Sequence, residues 1–291
     1  MASKTILVTG AGGYIGSSLV PRLLESGKRV IAVDRYFFGS DKLADHPNLT
    51  KLRTDVRLLE PSAFRSVDAV IDLAALSNDP LGDLFTDETW EINHQARARN
   101  ARLAKAAGVK RYVMPSSCSI YGFFPPSQIL DEDCTPNPLT VYAKANLAAE
   151  QDIRPLADDD FTVGVVRFST LFGISPRMRF DLAVNGMTET AWRTGKLALM
   201  RDGTQWRPMI HVRDAARTGI HAGSRRSRNQ WPRIQRWLQR PQRADPRACR
   251  PGERVGSARC RNRLVRRPRY ALIPRFIRSH RCARLSHHND D

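Results

Sequence analysis

The chain has 291 residues and a formal net charge of +18, from 47 Lys and Arg against 29 Asp and Glu. That length fits one large domain, or a domain with a small appendage. No apolar run nears the roughly 20 residues that cross a bilayer, which argues against a membrane-embedded function.

So high a charge would ordinarily suggest a nucleic-acid partner, but it is unevenly placed. Residues 224–291 hold 20 Arg, no Lys and four acids, whereas the rest holds 27 basic and 25 acidic residues. A near-neutral body joined to an Arg-rich tail is the expectation, and nucleic acid is the disfavoured partner. The first strand begins almost at once, leaving no room for a signal peptide. Cys118, Cys134, Cys249, Cys260 and Cys282 show no CxxC pairing or metal-ligand spacing. Free thiols, no metal and a cytoplasmic location are therefore expected.

Residues 5–8 read as a buried strand running into Thr9-Gly10-Ala11-Gly12-Gly13-Tyr14-Ile15-Gly16. Gly10 permits the tight turn, Gly13 lets phosphates approach the backbone, and Gly16 lets the following helix pack closely on the strand. Backbone N–H groups, those of Tyr14 and Ile15 included, and the helix start then face a dinucleotide pyrophosphate. The helix, over residues 14–26, stops at Gly27. A second strand, 29–33, ends in Asp34, about 20 residues on, where a carboxylate accepts the ribose hydroxyls of NAD and repels a 2′-phosphate. Arg35 beside it is the counter-indication, because a guanidinium could hold that phosphate. A third strand, 49–53, leads to Asp55 and Val56, placed to reach the adenine edge. Residues 69–75 form an apolar strand broken only by Asp72, and its end, Leu73, Ala74 and Ala75, passes close to the cofactor. A helical stretch over 90–107 precedes strand 111–115, the segment SSCSIYG at 116–122, a helix opening at Tyr142, and strand 161–168. Strands alternating with helices imply an α/β fold with a Rossmann-type, doubly wound parallel sheet.

In that order, TGAGGYIG, the acidic end of strand two, DV, LAA, SSCSIYG, YAKAN and DGTQWRPMIHVRD resemble the extended short-chain dehydrogenase/reductases, specifically the NAD-dependent epimerase/dehydratase group acting on nucleotide sugars. The resemblance covers residues 4–217. It implies bound NAD, a smaller lobe over a nucleotide sugar, transient hydride transfer that epimerisation or dehydration returns, and compatibility with a homodimer. Ser117 matches the residue that binds the reacting sugar hydroxyl or carbonyl. Tyr142 matches the tyrosine that shuttles the proton while nicotinamide takes the hydride. Asn93 matches a position near the cofactor. Thr170 stands where a substrate-binding asparagine is common. Arg207 would grip the diphosphate, since a guanidinium gives paired charge-assisted bonds to phosphate oxygens. Arg179, Asp181 and Asn185 fall where the sugar lobe is expected.

One departure bears on the chemistry. The family places a lysine four residues after the tyrosine, and here that residue is Asn146. Lys144 is two residues on, about 200° around the helix, on another face. A lysine would lower the tyrosine pKa and hold the nicotinamide ribose, whereas an asparagine supplies a hydrogen bond without the charge. With an ordinary pKa near 10, about one tyrosine in a thousand is phenolate at pH 7. Proton transfer is expected to be impaired, and Asn146→Lys to raise turnover. A catalytically inactive NAD-binding regulatory protein is the alternative that Asn146 favours.

The family pattern stops after Arg217, which sets the expected division: residues 1–217 form the NAD-binding domain with the start of the substrate lobe, and residues 218–291 an Arg/Pro-rich tail. Residues 233–243 can be written in codons that, read one nucleotide later, give the family's missing FNVG strand. A lost reading frame near residues 215–218 is therefore expected, with a truncated or disordered substrate lobe and a tail that does not fold onto the body. The alternative is a nucleic-acid-binding arm whose arginines contact phosphates.

Overall fold

The computed structural model describes residues 4–123, 130–197 and 208–224. Arg207, the whole DGTQW segment before it and the tail beyond Ser224 lie outside the described residues. Six strands form one parallel sheet in the order β3-β2-β1-β4-β5-β6: β1 Thr5–Thr9, β2 Arg29–Asp34, β3 Leu49–Arg53, β4 Ala69–Asp72, β5 Arg111–Ser117 and β6 Thr162–Phe168. That order reverses direction between β1 and β4. The crevice beyond the strand C-termini at such a reversal is where open α/β sheets take their ligands.

Strand alternation divides the core between the two faces of the sheet. Ile6 and Val8 of β1 point to one face and pack with Leu19, Val20 and Leu23 of helix α1 (Gly16–Glu25) and with Ala215 and Ala216 of α7 (Val212–Ser224). Leu7 points to the other face, with Ala98, Ala101 and Ala104 of α4 (Arg97–Ala106) and Ala149 and Ile153 of α5 (Val141–Ile153). The alanine-rich faces of α4 and α5 let both helices lie close to the sheet. Helix α7 continues to Ser224, past the boundary expected at residue 217.

Three elements differ in extent from the sequence expectation. Strand β4 ends at Asp72 rather than residue 75, because the Ala74 N–H turns to the Thr9 hydroxyl (3.1 Å) rather than to a neighbouring strand. Strand β5 runs on to Ser117, paired with Phe168 of β6. The stretch over 90–107 is three pieces: α3 (Thr86–Trp90), a π-helical turn (Glu91–Ala96) and α4. Such turns shift the phase of a helix and recur at functional sites. Here Asn93, on the π turn, both donates to the Leu76 carbonyl (2.8 Å) and accepts from its N–H (2.9 Å).

The smaller lobe begins with the parallel pair β7 (Thr170–Phe172) and β8 (Met209–His211) and with helix α6 (Ala183–Thr194). Helix α5 is fixed at both ends. Thr140 caps it by accepting from the Ala143 N–H (3.2 Å) and donates to Asp79 of α2 (Asp79–Leu84) at 2.6 Å. Gly82 of α2 sits so close to Tyr142 that a Cβ there would lie 3.0 Å from the tyrosine Cβ. Near the other end, Glu150 receives Arg167 of β6 through Nη2 (2.7 Å) and Nε (3.1 and 3.2 Å), and Arg167 Nη1 donates to the Tyr121 hydroxyl (2.9 Å).

Both members of that ion pair are almost fully buried. Removing one strands the other's charge, which costs roughly 3–5 kcal/mol. Glu150→Ala is therefore expected to lower the unfolding free energy obtained by urea titration by an amount in that range; a loss under about 1 kcal/mol would mean that water reaches Arg167 freely.

Candidate active site

The glycine loop joins β1 to α1 at the C-terminal edge of the sheet. Gly10 has φ +63, and a Cβ there would meet the Ala74 N at 2.8 Å. Gly16 is pressed against the loop itself, and a side chain there would overlap the carbonyl oxygens of Gly10 and Ala11. Its lack of a Cβ thus keeps the turn closed as well as seating α1. Gly13 donates to the Gly10 carbonyl (3.0 Å), while the N–H groups of Tyr14 and Ile15 have no acceptor among the described residues. Two unspent donors where a helix begins form a cradle for an anion. The loop therefore fits a dinucleotide pyrophosphate.

Asp34 closes the loop from the side. Its carboxylate accepts the Gly12 N–H (3.0 Å) and the Tyr36 N–H (2.6 Å). Arg35 is turned to Asp55 (3.2 Å) and lies over the Phe37 ring, 4.3 Å from its centroid. Asp55 caps the turn that begins at Val56, accepts from the Arg57 N–H and pairs with the Arg57 guanidinium (2.8 Å). The hydrogen bond from Arg57 holds the Asp55 carboxyl below its ordinary pKa. Val56 is buried, its carbonyl accepting from Asn100 at 3.0 Å. Leu73 and Ala74 line the other side of the loop through Gly10 and Thr9, and Ala75 follows them in the chain. Asn93 acts one step removed, because both ends of its carboxamide are committed to Leu76.

Ser117 ends β5, and its hydroxyl accepts from the Ser119 N–H (3.1 Å). The Tyr142 phenol, from the first turn of α5, lies near enough to the Ser117 side chain for that side chain to favour its ionised form. The structure thus brings together the two residues that the sequence paired at a distance. Burial pushes the Tyr142 phenol above its ordinary pKa. Ser117, Arg97 and Arg179 pull it down, Asp79 pushes it up, and burial wins. Asn146 is buried one turn along, donating to the Tyr142 carbonyl (2.8 Å). Lys144 is exposed, on the face the helical spacing gives it.

The sequence named Arg179, Asp181, Asn185, Tyr14 and Thr170 without their partners, which the fold supplies. Arg179 is buried, donates to the Ser77 hydroxyl (2.7 Å) and forks onto Asp181. Although Asp181 is partly desolvated, that pairing draws its carboxyl down to about 2. Tyr14 reaches out of the glycine loop to donate to the Gly173 carbonyl (2.6 Å) and accepts from Asn185 (3.1 Å). Asn185 also accepts from the Gly173 N–H at 2.9 Å. Thr170 opens β7, its N–H donating to the Pro208 carbonyl (3.1 Å). A buried Asp in an otherwise apolar strand was the one available signal: Asp72 accepts from the hydroxyls of Thr9 and Tyr112, and Arg97 Nε stands 3.8 Å from it. Among the described residues no group of three His, Cys, Asp or Glu side chains could hold a metal ion. No helix among them is long and apolar enough to cross a membrane.

The model of the NAD dependent epimerase/dehydratase family matches residues 6–233. The chain belongs to that family. A UDP-glucose 4-epimerase of Rhizobium leguminosarum bv. trifolii is 31% identical over 244 residues, 76% of this chain and 73% of the relative. A UDP-glucose 4-epimerase of Bacillus subtilis (strain 168) is 29% identical over 247 residues, 75% of this chain and 72% of its own. Among solved structures, MoeE5 in complex with UDP-glucuronic acid and NAD is 34% identical, with a TM-score of 0.69 over 77% of this chain and 73% of that one. The glycine cradle and the carboxylate closing β2 suit the cofactor after which the family is named.

The disposition of Asp34 and Arg35 bears on cofactor choice. A 2′-phosphate would meet the Asp34 carboxylate, while Arg35 is engaged with Asp55. Purified protein is expected to bind NAD at least tenfold more tightly than NADP, about 1.4 kcal/mol, and Asp34→Ser to narrow the gap. Equal affinities for the two cofactors in a fluorescence titration would show that Arg35 swings round to the phosphate.

Proposed function

We propose that the chain carries out NAD-dependent oxidoreduction of a nucleotide sugar of the epimerase/dehydratase type, by transient hydride transfer, and that its turnover is suppressed at neutral pH. The observation that carries this reading is that Ser117, at the end of β5, and Tyr142, at the start of α5, come together at the C-terminal edge of a sheet whose strand order reverses. Membership of the family and likeness to UDP-glucose 4-epimerases support the substrate class.

Gly10, Gly13, Tyr14, Ile15 and Gly16 hold the pyrophosphate, Asp34 the adenosine ribose, and Asp55 and Val56 border the adenine. NAD, when bound, supplies the hydride acceptor and, on return, the donor. Tyr142 takes the proton from the sugar hydroxyl through its phenolate oxygen and gives it back when the carbonyl is reduced. Ser117 orients that hydroxyl and shares its proton with the phenol. Arg207 grips the diphosphate and Thr170 borders the sugar. The segment over 173–185, braced by Tyr14 and Asn185, forms the wall of the sugar site.

Suppression follows from the state of Tyr142. The base is the phenolate, and burial holds the phenol above its ordinary pKa of about 10. At pH 7 the base is scarcer than for an ordinary tyrosine, and each unit of pH raises its fraction about tenfold until the pKa is reached. kcat/KM towards UDP-glucose or UDP-glucuronic acid is therefore expected to climb between pH 7 and pH 9.5 with a slope near one. Tyr142→Phe should abolish the climb while NAD binding persists. A flat profile would remove Tyr142 from the rate-determining proton transfer. Cofactor binding without turnover at any pH in that range would favour the regulatory alternative.

A further inference from the structure

Arg97 is 3% exposed although it opens a helix in the run Arg97-Ala98-Arg99. Arginines in such runs ordinarily face water, because burying the cation costs several kcal/mol unless something compensates it. The compensation here is partial. Nη1 donates to Asn146 Oδ1 (2.9 Å) and to the Pro115 carbonyl (3.2 Å). Nε is 3.8 Å from Asp72 Oδ2 and has no hydrogen-bond partner among the described residues. Asp72, meanwhile, already accepts from the hydroxyls of Thr9 and Tyr112.

Asn146 explains which way the guanidinium is turned. Its Nδ2 is spent on the Tyr142 carbonyl one helical turn back, so its Oδ1 is aimed at Arg97. A lysine at 146 would point an ammonium into the space that the Arg97 guanidinium now fills. We propose that Arg97, held by Asn146, is the cation of the Tyr142 pocket and takes the place of the lysine that position 146 lacks. Arg97 is then a positioning residue acting through Tyr142, and the assignment rests on the reading of Tyr142 as the proton-transfer group.

The other groups facing Tyr142 leave that role to Arg97. Arg179, from the chain before α6, is also cationic towards the phenol, but Asp181 holds it in a bidentate pair. Asp79, from α2, is anionic and accepts from Thr140. Ser117, from the end of β5, is neutral. Arg97, from α4, faces a carboxylate shared with two hydroxyls at a distance longer than a hydrogen bond. Arg179 is thus closed in a two-point pair, whereas Arg97 keeps its Nε–H without a hydrogen-bond partner among the described residues. The expectation drawn from Asn146 alone then reverses: Asn146→Lys would set an ammonium against the guanidinium and gain nothing.

The test is the ionisation of Tyr142 itself, followed by fluorine NMR in the full chain labelled with fluorotyrosine, with neither cofactor nor sugar present. Tyr142→Phe assigns the resonance. Arg97→Gln is expected to move the midpoint up by about one pH unit or more, and Arg97→Lys to undo most of that shift. The exchange Arg97→Thr with Asn146→Lys, which carries the charge back to α5, is expected to return the midpoint to that of the parent chain. Asn146→Lys alone should leave the midpoint within about 0.3 units and lower the melting temperature. An unmoved midpoint in Arg97→Gln overturns the proposal. So does a fall of a full unit in Asn146→Lys alone, which would mean that the pocket had no cation, and this second arm stands even where Arg97→Gln does not fold. Because the readout needs no turnover, an absence of sugar chemistry would sink the functional reading and leave this result standing.

Discussion

The carboxylate of Asp72, 1% exposed at the end of the central strand β4, is the constraint around which the site is arranged. A buried anion must be compensated, and it is from three directions: the hydroxyls of Thr9 on β1 and Tyr112 on β5 donate to it, and the guanidinium of Arg97 on α4 stands 3.8 Å away. Thr9 belongs to the glycine loop and in turn takes the Ala74 N–H. Tyr112 also donates to the Arg97 carbonyl (3.2 Å), fixing the start of α4. One carboxylate thereby sets the spacing of the cofactor loop, the loop that follows β4 and the helix that reaches α5. Such a network is rigid because each member has an alternative only at the cost of an unsatisfied partner.

Much of this was legible in the sequence, for an identifiable reason. The parallel sheet announces itself through continuous apolar strands, and the glycine loop through spacings that only a tight strand-to-helix turn requires. Tyr142 and Ser117 were legible because the motifs around them are specific in combination. Arg97 was not legible, because a basic residue in a helix looks solvated when read alone, and the π turn before it shifts the helix phase by an amount that no simple period reveals. Asp72 gave the available hint. An acid in the middle of an apolar strand demands a buried cation or donors, and the nearest candidates in sequence were many. The Tyr14 hydroxyl and Asn185 illustrate the same limit, since their partners are far away in the chain and only the folded lobe brings them together.

Asn146 is instructive on another count. Judged by position it is a lost lysine, and judged by its hydrogen bonds it is a connector whose amide joins the backbone of α5 to a guanidinium from α4. Substitution at one place is thus legible only with the contents of its neighbour. The same holds for Arg35, whose meaning for cofactor choice depends on Asp55, twenty positions away in the chain.

The Tyr14 side chain leaves the glycine loop and fastens to Gly173 and Asn185, so the loop and the segment over 173–185 are buttoned together. Gly173 is itself confined, with φ +110 and His211 pressed where a Cβ would be. A displacement of either segment is therefore passed to the other through one phenol and one carboxamide.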